Sequence, residues 1–420
     1  MQRIDSGDVA WMLVSTALVL LMTIPGLALF YAGMVRKKNV LATMMQSFSL
    51  CALMTVVWMV AAYSLAFGDG NAWIGDASRL FLSGIGADWD KPFTLGARTD
   101  NPLPTTLPES VFLLFQMAFA IITPAVVTGA FADRMKFSAL LLFMTLWSLL
   151  VYAPIAHWVW APTGWLSMLG IADFAGGTVV EINSGVTGLV CALMLGRRLG
   201  YGQENMAPWN LSYAVIGASL LWVGWLGFNS GGALGANARA GMAVLATQMA
   251  AAGATLSWSL AEWLLRAKPS VLGAVSGAVA GLVAITPAAG FVLPGPAFGI
   301  GLVAGAVCFW AVTVLKPMLG YDDSLDVFGV HGVGGIIGML ATGVFAFGPL
   351  TATAAHPEGT IVGGGALLAV QALGVVATLG YGAVVCFVLL KVTDLVVGLR
   401  LTREQEREGL DIVLHGEQVF

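Results

Sequence analysis

The chain has 420 residues, 58% of them hydrophobic and 10% charged, with a formal net charge of −4 and a mean hydropathy of +0.87. A soluble domain carries about 25% charged residues, so this composition excludes one and leaves a polytopic membrane protein. The modest net charge gives no nucleic-acid signal, and Cys51, Cys191, Cys308 and Cys386 lie inside apolar runs without zinc spacing, where they read as small packing residues.

The N-terminal stretch MQRIDSGDVAWMLVS has neither the basic start nor the cleavage site of a signal peptide, so the first apolar run reads as a true span. Apolar stretches of roughly 20 residues, enough to cross a bilayer, are expected at 9–34, 41–66, 109–131, 137–157, 179–199, 209–229, 240–266, 270–289, 297–316, 331–347 and 362–398. The expected class is therefore all-α, with about eleven transmembrane helices. Arg36, Lys37, Lys38, Arg134, Lys136, Arg197, Arg198, Arg266, Lys268, Lys316, Arg400, Arg403 and Arg407 fall in one alternate set of connectors. The other set holds only Arg3, Arg79, Lys91, Arg98 and Arg239. Basic connectors face the cytoplasm, which predicts the N-terminus out and the C-terminus in. The connector 67–108, rich in Gly, Pro, Asp and Trp, is expected to be a structured external loop. In the tail 401–420, TREQEREG reads as a short polar helix stopped by Gly409, either simply solvated or a cytoplasmic regulatory element.

Two segments echo each other. Asp173 lies eight residues before Glu181, and Asp323 eight before His331; each later residue follows a Val and is followed by Gly four and seven residues on. This predicts inverted five-helix repeats, about 9–199 and 209–347, with 362–398 as a final helix and a polar site between the halves. Ionisable residues at membrane depth mark functional sites, which singles out Asp173, Glu181 and His331, with Asn229 as a further buried polar group. Glu181 and His331 are expected to face each other, either relaying a proton or locking two half-bundles together. His157 reads as interfacial beside Trp158 and Trp160. Phe115, Phe119, Trp158, Trp160, Trp222, Trp225 and Phe228 surround these groups, and such rings hold a small cation, form a hydrophobic gate or simply pack. Walker A, dinucleotide and metal-ligand patterns are missing, so an ATP-driven pump or a redox enzyme is disfavoured and no cofactor is expected.

PGLALFYAGMVRKKN (25–39), FQMAFAIITPAVVTGAFADRMKFSA (115–139), IAHWVW (155–160), ADFAGGTVV (172–180), GWLGFNSGG (224–232) and DVFGVHGVGGIIG (326–338) together resemble the ammonium transporter family, Amt/Mep/Rh. The likeness covers essentially the whole chain and extends to REGLDIVLHGE at 407–417. It implies a homotrimer in the cytoplasmic membrane with one pore per subunit, moving ammonium electrogenically and not acting as an enzyme. It implies that Phe119, Trp160, Asp173 and Phe228 bind the substrate, that Phe119 and Phe228 gate the pore, and that Glu181, Trp225 and His331 line the proton path. Two positions depart from the family pattern: Gly232 replaces a Ser near the external site, and Glu181 replaces the first of two pore His residues. Glu181 is expected to shift pH dependence or ammonium-over-potassium selectivity. The resemblance also implies an alternative role, an ammonium sensor, and a possible P-II signal-transduction protein as partner at the tail.

Overall fold

The computed structural model describes residues 3–352 and 356–419; Met1, Gln2 and Phe420, the ends of the expected regions, lie outside the described residues. A backbone in hydrocarbon must satisfy its own amides, and a helix does so within one segment. The apolar runs accordingly form α1 (Ser6–Met34), α2 (Lys37–Phe67), α3 (Glu109–Phe131), α4 (Phe137–Met168), α5 (Gly177–Leu195), α6 (Leu211–Ala233), α7 (Ala238–Arg266), the shorter α8 (Val271–Ile285), α9 (Pro294–Leu319), α10 (Phe328–Phe345) and α11 (Gly365–Val397). All but α8 are long and apolar enough to cross a membrane. The span expected at 270–289 stops as a helix at Ile285 and turns through 286–291. The span expected at 137–157 continues to Trp160 and, after a break at 161–164, ends in one further turn. Phe48, Leu193, Trp263 and Val376 are among the exposed apolar side chains that bundle leaves outside, as lipid contact requires.

The core runs along α3, which is buried over most of its length and packs against α1, α2 and α5. Beside it, α5 and α10 cross as an inverted pair. Leu195, at the end of α5, accepts a hydrogen bond from Arg400 of the tail, 2.7 Å away. By contrast, α10 ends near the opposite face, where Phe347 N–H donates to Phe291 O at 2.7 Å. The two helices start alike. Asp173 accepts from Thr178 N–H at 2.7 Å and Asp323 from Phe328 N–H at 2.7 Å, each five residues on. These carboxylates satisfy first-turn amides, which is why both helices begin a few residues before their uninterrupted apolar runs.

Their crossing is reciprocal. A Cβ added at Gly185 would lie 2.3 Å from Gly332 Cα, and one at Gly335 would lie 2.9 Å from Ile182 Cγ1. The repeat offset is 150 residues, so position 332 is the counterpart of 182 and 335 that of 185. Each contact is thus the image of the other across a two-fold axis, and helices this close admit only glycine at 185.

The connector after α2 is structured. It contains a two-stranded antiparallel ribbon, β1 (Thr94–Leu95) with β2 (Leu103–Pro104), and is fastened by Arg79 on Glu109 at 2.8 Å. His157, expected at an interface, is instead fully buried beneath this connector. Its Nδ1 is 3.0 Å from Ala66 O and its Nε2 2.6 Å from Asn71 O. The long connector, which a local reading leaves as solvent, is what covers it.

At the other face the tail is docked. A helix, α12 (Arg403–Glu408), forms after Thr402, which shares a capping box with Gln405, and ends at Gly409 with φ 115°. Lys38 Nζ donates to the carbonyls of Glu406 and Arg407 at 2.7 and 2.6 Å. Asp411 accepts from Leu41 and Ala42 N–H at 3.1 and 2.8 Å. The basic connectors gather here on acidic partners: Arg36 on Asp133 at 3.1 Å, Arg198 on Asp322 at 2.8 Å and Arg400 on Glu406 at 2.5 Å. In this cluster, burial and the neighbouring Asp326 push the Asp323 carboxyl up to about 6, against the opposing pull of Lys316.

Candidate functional site

A cavity of about 200 Å³ opens at the face away from the tail, lined among others by Phe115, Gln116, Phe119, Trp160, Asp173, Phe174, Gly232 and Arg239. Trp160 Nε1 donates to Asp173 O at 3.0 Å, which fixes the indole in the wall. The Asp173 carboxylate is already engaged. Oδ1 accepts from Gly176 and Gly177 N–H at 2.8 and 2.6 Å, and Oδ2 accepts from the N–H and the hydroxyl of Thr178. It therefore shapes the cavity wall through the loop it holds.

The floor is a stack of rings. Phe119 and Phe228 lie with centroids 4.2 Å apart and planes 30° apart, the offset stacking that aromatic quadrupoles favour. Trp160 meets Phe119 edge-on at 5.8 Å and 89°, and Phe115 packs on it at 4.9 Å. Beneath Phe228 is a chamber of about 10 Å³, walled by Ile122, Val126, Val180, Leu221, Trp225, Glu181 and His331 among others. That is room for about one water-sized molecule. A second chamber of about 50 Å³ follows, lined by residues that include Phe30, Tyr31, Trp258, Asp326 and again His331. His331 borders both.

The two matched ionisable residues meet in this track. Glu181 Oε2 is 2.7 Å from His331 Nδ1, with side chains 1% and 7% exposed. Glu181 Oε1 is buried and has no hydrogen-bond partner among the described residues. At this distance the two side chains share one hydrogen bond, whose donor is set by the tautomer of His331 and the proton on Glu181. With Nδ1 taken, Nε2 is the nitrogen His331 can turn to a passing molecule. Trp225 lines the upper chamber but spends its indole N–H on Thr286 Oγ1 at 2.8 Å.

Not every expected aromatic joins. Trp158 packs with Trp73, Trp165 and Tyr381 under the long connector, and Trp222 bonds Gln248 at 3.0 Å. Asn229 bonds Thr247 at 2.9 Å between α6 and α7. The structure adds two residues that sequence reasoning did not select, Phe174 and Arg239. A Cβ at Gly232 would stand 2.6 Å from Phe174 O and 3.1 Å from its ring Cδ1, so the place of a side chain at 232 is occupied by Phe174.

Ten helices long and apolar enough to cross a membrane, packed around small chambers beneath stacked rings, put this protein in the class of multi-pass membrane proteins. Residues 10–420 match the family described as Ammonium Transporter Family, and the chain belongs to that family. It is 48% identical over 414 residues to an ammonium transporter of Bacillus subtilis, covering 99% of this chain and 98% of that one. Its structure is similar to that of Saccharomyces cerevisiae Mep2, with a TM-score of 0.85, 36% identity, and 96% and 89% of the two chains covered. It is also similar to a solved structure named Sensor Amt Protein, with a TM-score of 0.85, 28% identity, and 97% and 98% covered.

Proposed function

We propose that this chain transports ammonium electrogenically across the cytoplasmic membrane as a homotrimer, with its tail face inside. The basic connectors gathered at the tail face support this orientation. The observation that carries the mechanism is the 2.7 Å contact between Glu181 and His331 beside an upper chamber whose other walls are apolar. An intact ammonium ion pays a large desolvation penalty in such a chamber, whereas ammonia does not. The ion is held above the rings of Phe119, Trp160 and Phe228, where aromatic faces attract cations, with Asp173 shaping the wall. It loses its proton, ammonia crosses between the chambers, and the proton moves by way of Glu181 and His331 beside Trp225.

Purified protein in liposomes on a membrane-supported electrode tests this. Ammonium pulses are expected to give a sustained current that scales with protein density. A small transient that does not depend on liposome size overturns transport and supports the second reading, an ammonium sensor, which the likeness to Sensor Amt Protein favours.

The docked tail supports a regulatory role for 401–420, and we propose a P-II signal-transduction protein as its partner. Co-purification with the full chain, lost on removing residues 401–420, is the expected result. Retention by the shortened chain would move the docking site to the connectors.

A further inference from the structure

One cation in the vestibule wall makes no ion pair among the described residues. Arg239 stands in the first turn of α7 and lines the cavity shared by Phe119, Trp160 and Asp173. Its guanidinium carbon lies 5.6 Å from the centre of the Phe174 ring. Among the described residues, no ion pair or hydrogen bond holds that guanidinium, although Arg79 and Arg98 on the same face of the molecule both sit on carboxylates. Asp173, the acid nearest in the cavity lining, is committed to the start of α5. The Phe174 ring is held in place: it packs edge-on against Phe291 at 5.3 Å and lies so close to Gly290 that a Cβ there would stand 2.1 Å from Cε2.

We propose that Arg239 lowers the apparent affinity of the vestibule for ammonium. The inference rests on the reading of this cavity as the ammonium entry site. Two effects act with one sign. A phenyl face that would attract a cation is already covered by the guanidinium. The same positive charge raises the energy of any ammonium ion in the cavity, and at partly solvated separations within one cavity that repulsion amounts to about three- to tenfold in apparent affinity. The effect is electrostatic, so added salt screens it, and it acts on entry and not on the chambers below the rings. Gly232 belongs to the same arrangement: a side chain there would displace Phe174 and with it the platform under Arg239.

The test uses the reconstituted full chain carrying Arg239→Gln and Arg239→Lys. For Arg239→Gln the half-saturating ammonium concentration is expected to fall about three- to tenfold at low ionic strength, with the difference shrinking as sodium chloride is added. Arg239→Lys keeps the charge and is expected to stay near the native value. An unchanged or higher half-saturation in Arg239→Gln overturns the proposal. So does a Lys variant that behaves like the Gln variant, because charge would then not be the cause. Ammonium titrated against tryptophan fluorescence of the same preparations gives an equilibrium readout. If the native chain carries no sustained current, transport fails as a reading, and the fluorescence titration still decides the role of Arg239 by the same shift or its absence.

Discussion

His331→Ala is expected to reduce the sustained ammonium current by about 100-fold or more, the scale on which removal of a positioned proton carrier acts. The imidazole is the one titratable group among the described residues that borders both chambers, which Phe30 and Val279 also line, and its Nδ1 is the partner of Glu181 Oε2. The substitution removes the carrier and leaves a buried carboxyl with neither oxygen bonded, since Oε1 already lacks a partner. Such an unsatisfied group costs about 1–3 kcal/mol or more, so the thermal midpoint in detergent must be recorded with the current. Glu181→His is the informative companion. It keeps a hydrogen-bonding partner for His331 while removing the only acid of the pair, so a current is expected to survive with an altered pH profile and a smaller response to potassium. A native-like current in His331→Ala would reject the relay and leave the pair as a structural lock. A Glu181→His variant unchanged in both pH profile and potassium response would reject the role given to the acid.

The second large effect is expected from one methyl group. Gly185→Ala places a Cβ 2.3 Å from both Cα and N of Gly332. Backbone cannot yield as a side chain does, so α5 and α10 must separate by about 1 Å, and overpacking of this kind costs about 1–3 kcal/mol. The displacement falls one turn from Glu181 and beside His331, whose contact depends on this crossing. We expect a lowered thermal midpoint and at least about a tenfold loss of current, since a 1 Å misplacement alone is able to cost on the order of 100-fold. Gly335→Ala is the mirror position, yet its Cβ meets Glu181 Cβ and Ile182 Cγ1 at 2.9 Å. These contacts are longer than those at 185, and the nearest backbone atom, Gly177 O, is 3.1 Å away, so the loss there is expected to be smaller. Equal effects at 185 and 335 would mean that the crossing is not limited by backbone contact.

These residues also mark what a linear reading reaches. The helices were legible because long apolar runs leave the backbone no alternative. The pairing of Glu181 with His331 was legible because the two stand at one offset within an echoed pattern, and a two-fold axis converts that offset into proximity. Trp158 and Trp222 were not separable from Trp160 and Trp225 in sequence, because an aromatic at a helix end or on a helix face reads alike whether it meets a pore, a loop or a neighbour. The burial of His157 depends on a connector folding back over it. Arg239 was visible only as a basic residue in a connector; what distinguishes it is that no acid among the described residues pairs with it, a property of three-dimensional arrangement. Phe174 had no signal of its own apart from Gly232, which marks the space the ring occupies.

The docking of the tail also governs the order in which the molecule can be completed. Lys38 takes Arg407 as a partner across 369 residues, and Leu41 and Ala42 give their amides to Asp411. A ribosome adding about 5–20 residues per second needs roughly 20–75 seconds to cover that separation. Through that interval the start of α2 is already made while the acceptors for its first amides are not. The native form of this face is thus withheld until synthesis has passed residue 411, and a nascent chain stalled before that point presents a surface that the finished protein conceals.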